Sequence, residues 1–156
     1  MTGTDLGGLL GSLHEAGIRY VVIGGVAVVA HGYLRTTQDL DIVPAPDAEN
    51  LLRLGNLLAA LDARLVREPA RAFGAEERAA LAQGRSLSLR TTLGDLDIVQ
   101  RLPGTPTFTE LDGDALHADP FGVPVRIASL ERLRAMKRAR ATAQDLADLE
   151  ALADAR

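Results

Sequence analysis

No cysteine occurs among the 156 residues, which excludes disulfides and thiolate metal sites. Tryptophan is also absent, and two tyrosines with three phenylalanines leave few platforms on which successive bases of a single strand could stack. Lysine occurs once, at Lys137, in a chain otherwise supplied with arginine. In a composition that has replaced dispensable lysines, its survival is conspicuous. The longest nearly uncharged apolar run, Tyr20 to Ala30, falls well short of the ~20 residues a membrane helix requires, and Gly24-Gly25 interrupts it. The amino terminus has neither the basic start nor the apolar segment of a secretory signal, so the expected compartment is the cytoplasm, without a membrane partner.

What is present is an apolar content of 47%, enough for a real core, in a length that suits one domain over 1–156. Its core is expected over about 1–104, with a C-terminal hairpin and helices over about 105–156. The formal net charge is only −4. It is unevenly placed: between Arg126 and Arg140 six cations stand against the single acid Glu131. A local cationic face in an acidic chain suits one compact polyanion better than a long phosphate backbone.

Leucine spacing predicts a helix over 4–16, ended by Gly17, and β-branched residues predict a strand over 19–23. Gly24-Gly25 punctuates that strand before a helix over 26–34, and a two-faced strand follows over 38–43. Further helices are expected over 47–62 and 75–83, with a strand over 63–67. Residues 86–91 and 94–100 alternate as a hairpin, and Phe121-Gly122 turns a second one into Val125–Ile127. Ser129 caps a helix reaching Arg140, and Thr142 with Asp145 opens a last helix to Ala153. The expected fold class is α+β, a small mixed β-sheet with flanking helices and a C-terminal helical hairpin.

Asp39 and Asp41 lie two apart on a strand, so both leave one face, about 7 Å apart. Such a pair repels itself unless a cation neutralises it, and hard oxygen donors favour magnesium. Nearly the same string recurs: Asp39-Leu-Asp-Ile-Val43 and Asp95-Leu-Asp-Ile-Val99. If the two strands are neighbours, a third carboxylate converges on the first two, as phosphoryl transfer with two metal ions requires. Asp97 and Asp95 share strand parity, and either satisfies the geometry. Gly24 and Gly25, between strand and helix, would let backbone amides approach phosphate oxygens without an intervening Cβ. Arg134, Lys137 and Arg138 share a helix face that could cover the β- and γ-phosphates. His14, His31 and His117 lack zinc spacing and read as structural or surface residues. Ser86 and Ser88 lack the pattern of a serine hydrolase.

The order Ile23-Gly-Gly25, nine residues of helix and loop, then Arg35-Thr-Thr-Gln-Asp-Leu-Asp-Ile42 resembles the DNA polymerase beta-like nucleotidyltransferases. Gly24-Gly-Val-Ala27 followed by His31-Gly-Tyr-Leu-Arg35-Thr-Thr37-Gln-Asp39-Leu-Asp41 is most similar to the small bacterial branch related to abortive-infection, toxin-antitoxin enzymes. Lys137, Arg140 and Asp145-Leu-Ala-Asp148-Leu extend the resemblance to about residue 152. The resemblance implies an NTP-dependent enzyme that moves a nucleoside monophosphate to an acceptor hydroxyl on RNA or tRNA, a protein or a small molecule. It implies two Mg2+ ions, with Mn2+ as a substitute, on Asp39, Asp41 and Asp97, the latter favoured over Asp95 by its flanking Leu96 and Ile98. It further implies phosphate or nucleotide contacts from Gly24, Gly25, Arg35, Thr37, Lys137 and Arg140, and a cognate antitoxin as partner. Family members often carry Lys-Asp where this chain has Gln144-Asp145. The alternative is a non-catalytic nucleotide-binding partner or regulatory subunit with the same fold.

Overall fold

Runs of β-branched residues alternate with leucine-spaced helices along the chain, and the computed structural model, which describes residues 3–33 and 36–153, shows what they build. In chain order the elements are α1 (Leu6–Glu15), β1 (Tyr20–Ile23), α2 (Gly24–Ala30), β2 (Asp39–Pro44), α3 (Ala48–Ala60), β3 (Arg64–Leu65) and α4 (Ala75–Ala82). They continue with β4 (Leu87–Thr91), β5 (Gly94–Ile98), α5 (Phe108–Gly113), β6 (Leu116–Ala118), β7 (Val125–Ile127), α6 (Leu130–Arg140) and α7 (Ala143–Ala153).

The strands form one mixed sheet in the order β3-β4-β5-β2-β1-β7-β6. Two pairings, β2 with β5 and β1 with β7, are parallel, and the others are antiparallel. Both expected hairpins are present, β4–β5 and β6–β7. The second adds to β1, so residues beyond 105 extend the same sheet.

All four residues of β1 are buried, as befits a strand inside the sheet. Leu9, Leu10 and Leu13 of α1 join Leu40, Ile42, Leu54, Leu58, Leu89 and Leu96 in a continuous core. Asp5 and Asp47 cap α1 and α3 by accepting from the amides of Gly8 and Asn50. Ser129 caps α6, and Thr142 with Asp145 exchanges both bonds of a capping box at α7.

Three details differ from the sequence expectation. The helix expected over 26–34 begins at Gly24 and ends at Ala30, so the glycines form its first residues instead of a turn before it. The strand expected over 63–67 contracts to Arg64–Leu65. Helix α5 was not expected, although Thr107 and Glu110 carry its capping box.

Candidate active site

Parallel pairing of β2 with β5 sets Asp41 opposite Asp97 and Asp39 opposite Asp95. Leu40, Ile42, Leu96 and Ile98 alternate with these acids and are fully buried. The acids therefore share the opposite face of the sheet. Asp39, Asp41 and Asp97 line one cleft of about 910 Å³ together with Gly24, Lys137 and Arg140. Asp95 is not among the lining residues. Its carboxylate accepts from Nε of Arg90 at 3.1 Å, and its amide donates to the Thr4 hydroxyl at 3.0 Å.

Burial of Asp41, a hydrogen bond to the Asp97 side chain and the charges of Asp97 and Asp39 push its carboxyl up to about 8, against a smaller opposing pull from Arg140. Asp39 is also raised, by desolvation first and then by Asp97 and Asp95. Without a cation, this corner of the cleft keeps a proton to relieve its own repulsion. Among the described residues no group of three or more acid or histidine side chains is placed so that it could by itself hold a metal ion.

Gly24 makes room for this pair. Its φ of +69° is left-handed, and a Cβ there would overlap Oδ2 of Asp41 and stand 2.9 Å from Cγ. Ile23, which precedes α2, supplies no side-chain cap. The amides that open a helix have no intrahelical acceptor.

The opposite wall comes from α6 and α7, and its cations are already engaged. Lys137 is only 4% exposed, and its Nζ lies 2.8 Å from Asp148 and 3.9 Å from Asp145. Arg140 donates Nε and an Nη to the two oxygens of Asp145, both at 2.7 Å. That fork and the Thr142 hydroxyl and amide hold the Asp145 carboxyl well below the usual range. The helix face shared by Arg134, Lys137 and Arg138 is largely engaged within the protein. Arg134 donates to the Leu152 carbonyl, Lys137 is buried in an ion pair, and only Arg138 is exposed. Elsewhere in the basic stretch Arg126 pairs with Asp112 and Arg132 with Asp114.

Gly25 is buried behind the cleft, and the Thr37 hydroxyl donates to the Asp39 carbonyl at 3.3 Å without lining it. Arg35 lies outside the described residues. Sequence reasoning did not single out the loop Leu102–Thr105, Thr142, Gln144 or Ser88 as cleft walls. Of these Ser88 was detectable, since β4 parity places it across from Asp97 once the hairpin register is known. His31 bonds the Ala128 carbonyl through Nε2 at 2.9 Å, a packing role.

No family model matches this chain, and no curated protein matches it. Solved structures do. The antibiotic-resistance factor ANT(2'')-Ia in complex with adenylyl-2''-tobramycin superposes with a TM-score of 0.58 at 17% identity, covering 92% of this chain and 83% of that one. A putative nucleotidyltransferase from Thermotoga maritima gives 0.55 at 16% identity, over 96% of this chain and 90% of the other. An antigenic nucleotidyltransferase-like protein from Paracoccidioides brasiliensis gives 0.56 at 16% identity, over 94% and 72%. At such identities the likeness is one of fold.

Proposed function

We propose, from the premise that this chain has the nucleotidyltransferase fold, that it transfers a nucleoside monophosphate from a triphosphate to an acceptor hydroxyl and releases pyrophosphate. The observation that carries the reading is the parallel register of β2 and β5, which sets Asp41 against Asp97 in the cleft that Gly24 opens.

The donor set fits hard divalent cations, because Asp41 and Asp97 share a proton where positive charge is lacking. Magnesium commonly binds through one or two carboxylates and substrate phosphates instead of a full protein cage, so an incomplete cluster suits it. In this reading Asp39 and Asp41 hold two Mg2+ ions, or Mn2+ in their place, and Asp97 completes one. When bound, such ions neutralise phosphate charge and stabilise attacking and leaving oxygens. Asp97 also orients the acceptor hydroxyl and takes its proton. Gly24 admits the phosphates close to the backbone, while Arg140, fixed by its fork on Asp145, presents its remaining N–H groups to the cleft. Lys137, buried against Asp148, tunes the charge of the cleft from beneath.

Among acceptors, a small hydroxyl-bearing molecule is favoured over RNA or a protein side chain. An RNA backbone needs a track of uncommitted cations, and those between Arg126 and Arg140 are largely consumed by Asp112, Asp114, Asp145 and Asp148. The solved relative ANT(2'')-Ia, seen with adenylyl-2''-tobramycin, points the same way. The test is incubation with α-labelled NTPs and Mg2+ in separate arms containing aminoglycosides, total RNA and total protein. Label transfer in the first arm is expected. Transfer to RNA alone would reassign the protein to a toxin role with a cognate antitoxin, and no transfer in any arm would overturn the enzymatic reading.

A further inference from the structure

At the level of the carboxylates the register of the sheet sets four positions in a row. Ile23, next to Gly24, pairs with Asp41, Asp41 with Asp97, and Asp97 with Ser88. Neighbouring strands lie about 4.8 Å apart, so Ser88 stands ~10 Å from Asp41 and ~14 Å from the strand that ends at Gly24. Residues directly opposite each other share a face of the sheet. Leu87 and Leu89 on either side are buried, whereas Ser88 is exposed and lines the carboxylate cleft beside Asp97.

Ser88 is also the hydroxyl on this face that is available to a substrate. Among the described residues the hydroxyl side chains lining the cleft are Ser86, Ser88, Thr105 and Thr142. Ser86 is committed to Gln100, donating to its carbonyl and accepting from its amide, both at 2.9 Å. The Thr142 hydroxyl donates to Asp145 at 2.7 Å. Thr105 belongs to the loop against α6, where Gly104 packs on Ala139, and not to the sheet face that carries the acids. The Ser88 hydroxyl makes no hydrogen bond to another described residue.

In-line displacement decides which end of the row each substrate takes, because the attacking and leaving oxygens lie on opposite sides of the α-phosphorus. With the phosphates admitted at Gly24, the acceptor arrives over Asp97 from the β4 side. We propose that Ser88 is an acceptor-binding residue: its hydroxyl hydrogen-bonds a small polyhydroxyl acceptor beside the reacting group and sets that group against Asp97. The inference rests on the transfer reading of this cleft. In that reaction the acceptor oxygen bonds to the α-phosphorus, its proton passes to Asp97, and pyrophosphate leaves on the Gly24 side. Ser88 takes part in none of these bond changes and holds the acceptor while they occur.

The test uses the whole chain with Mg2+, labelled NTP and tobramycin as the acceptor probe. Ser88→Ala should raise the KM for tobramycin about fivefold, the loss of one hydrogen bond, and leave the KM for NTP within about twofold. Ser88→Thr, which restores a hydroxyl, should recover most of the difference. Because the chain has no cysteine, Ser88→Cys can be capped at that position alone with N-ethylmaleimide. The capped protein should retain Mg2+-dependent calorimetric binding of a non-hydrolysable triphosphate and lose roughly 100-fold in transfer, as misplacement of a reactant does. An unchanged tobramycin KM in Ser88→Ala, a cap that spares transfer, or a cap that abolishes triphosphate binding would overturn the assignment while wild-type transfer upholds the reading beneath it. Wild type that labels only RNA or protein removes the small acceptor and the role of Ser88 with it. Wild type that labels nothing ends the transfer reading itself, and the inference falls with it.

Discussion

Gly24 and Asp41 compete for the same volume: a Cβ on Gly24 would overlap Oδ2 of Asp41, and the φ of +69° at Gly24 is itself one that side chains avoid. Gly24→Ala should therefore lose roughly 1–2 kcal/mol from backbone strain alone, and should displace Asp41 and abolish transfer. Denaturant unfolding and a transfer assay check both. An alanine variant with wild-type activity would mean that Asp41 is not held where the reaction needs it.

Asp97 and Asp95 can be separated by substitution. Asp97→Asn should lower transfer at least ~100-fold, on the order of a lost transition-state charge contact. Asp95→Asn removes a carboxylate bonded to Arg90 outside the cleft, and should change the rate less than about threefold, within the small effect of an exposed ion pair. Initial rates with saturating nucleotide decide between them, and the reverse ranking would move the third metal ligand to Asp95.

Much of this was readable before any coordinates. The repeated Asp-Leu-Asp-Ile-Val string carries period two, and its apolar members indicated which face is buried. What it could not carry was register, because Asp95 and Asp97 have the same parity and only the pairing with β2 separates them. The ion pairing of Lys137 was hidden for a related reason. Its helical spacing placed it on a cationic face, but the acids that bury it, Asp145 and Asp148, come from α7, and the packing of α7 on α6 is a tertiary fact. Helix α5 went unnoticed because six residues give too little periodicity, although Thr107 and Glu110 supplied its cap.

Lys137 and Asp148 should behave as a buried pair. Lys137→Met alone takes from Asp148 the buried ammonium that faces it at 2.8 Å, and is expected to cost roughly 3–5 kcal/mol. Adding Asp148→Leu should recover most of that loss. A double-mutant cycle in denaturant measures it. If Lys137→Met costs under about 1 kcal/mol, the low end for removing a partner, and instead removes triphosphate affinity, Lys137 is a direct phosphate ligand.

Stability should depend on pH in a direction set by Asp41. Its folded carboxyl stands raised to about 8 against an ordinary 3.8, so the folded state holds a proton that the unfolded chain releases. In chelator this contribution is fully present below about pH 4 and is lost as pH climbs through about 8. Asp145 acts in the opposite sense: its lowered carboxyl stabilises above about pH 4 and fails in acid. The gap in unfolding free energy between Asp41→Asn and wild type should widen in favour of the variant as pH rises from about 4 to 8. A gap that does not change with pH would contradict the crowding of Asp41 by Asp97 and Asp39.

The most direct test of the carboxylate cleft is calorimetric titration with a non-hydrolysable triphosphate, in Mg2+ and in chelator, for wild type and Asp41→Asn. Mg2+-dependent binding in wild type, lost on chelation and lost in Asp41→Asn, is the predicted result. Equal affinity with and without Mg2+, or an unchanged affinity in Asp41→Asn, would contradict the assignment of Asp39, Asp41 and Asp97 as the groups that hold metal and nucleotide.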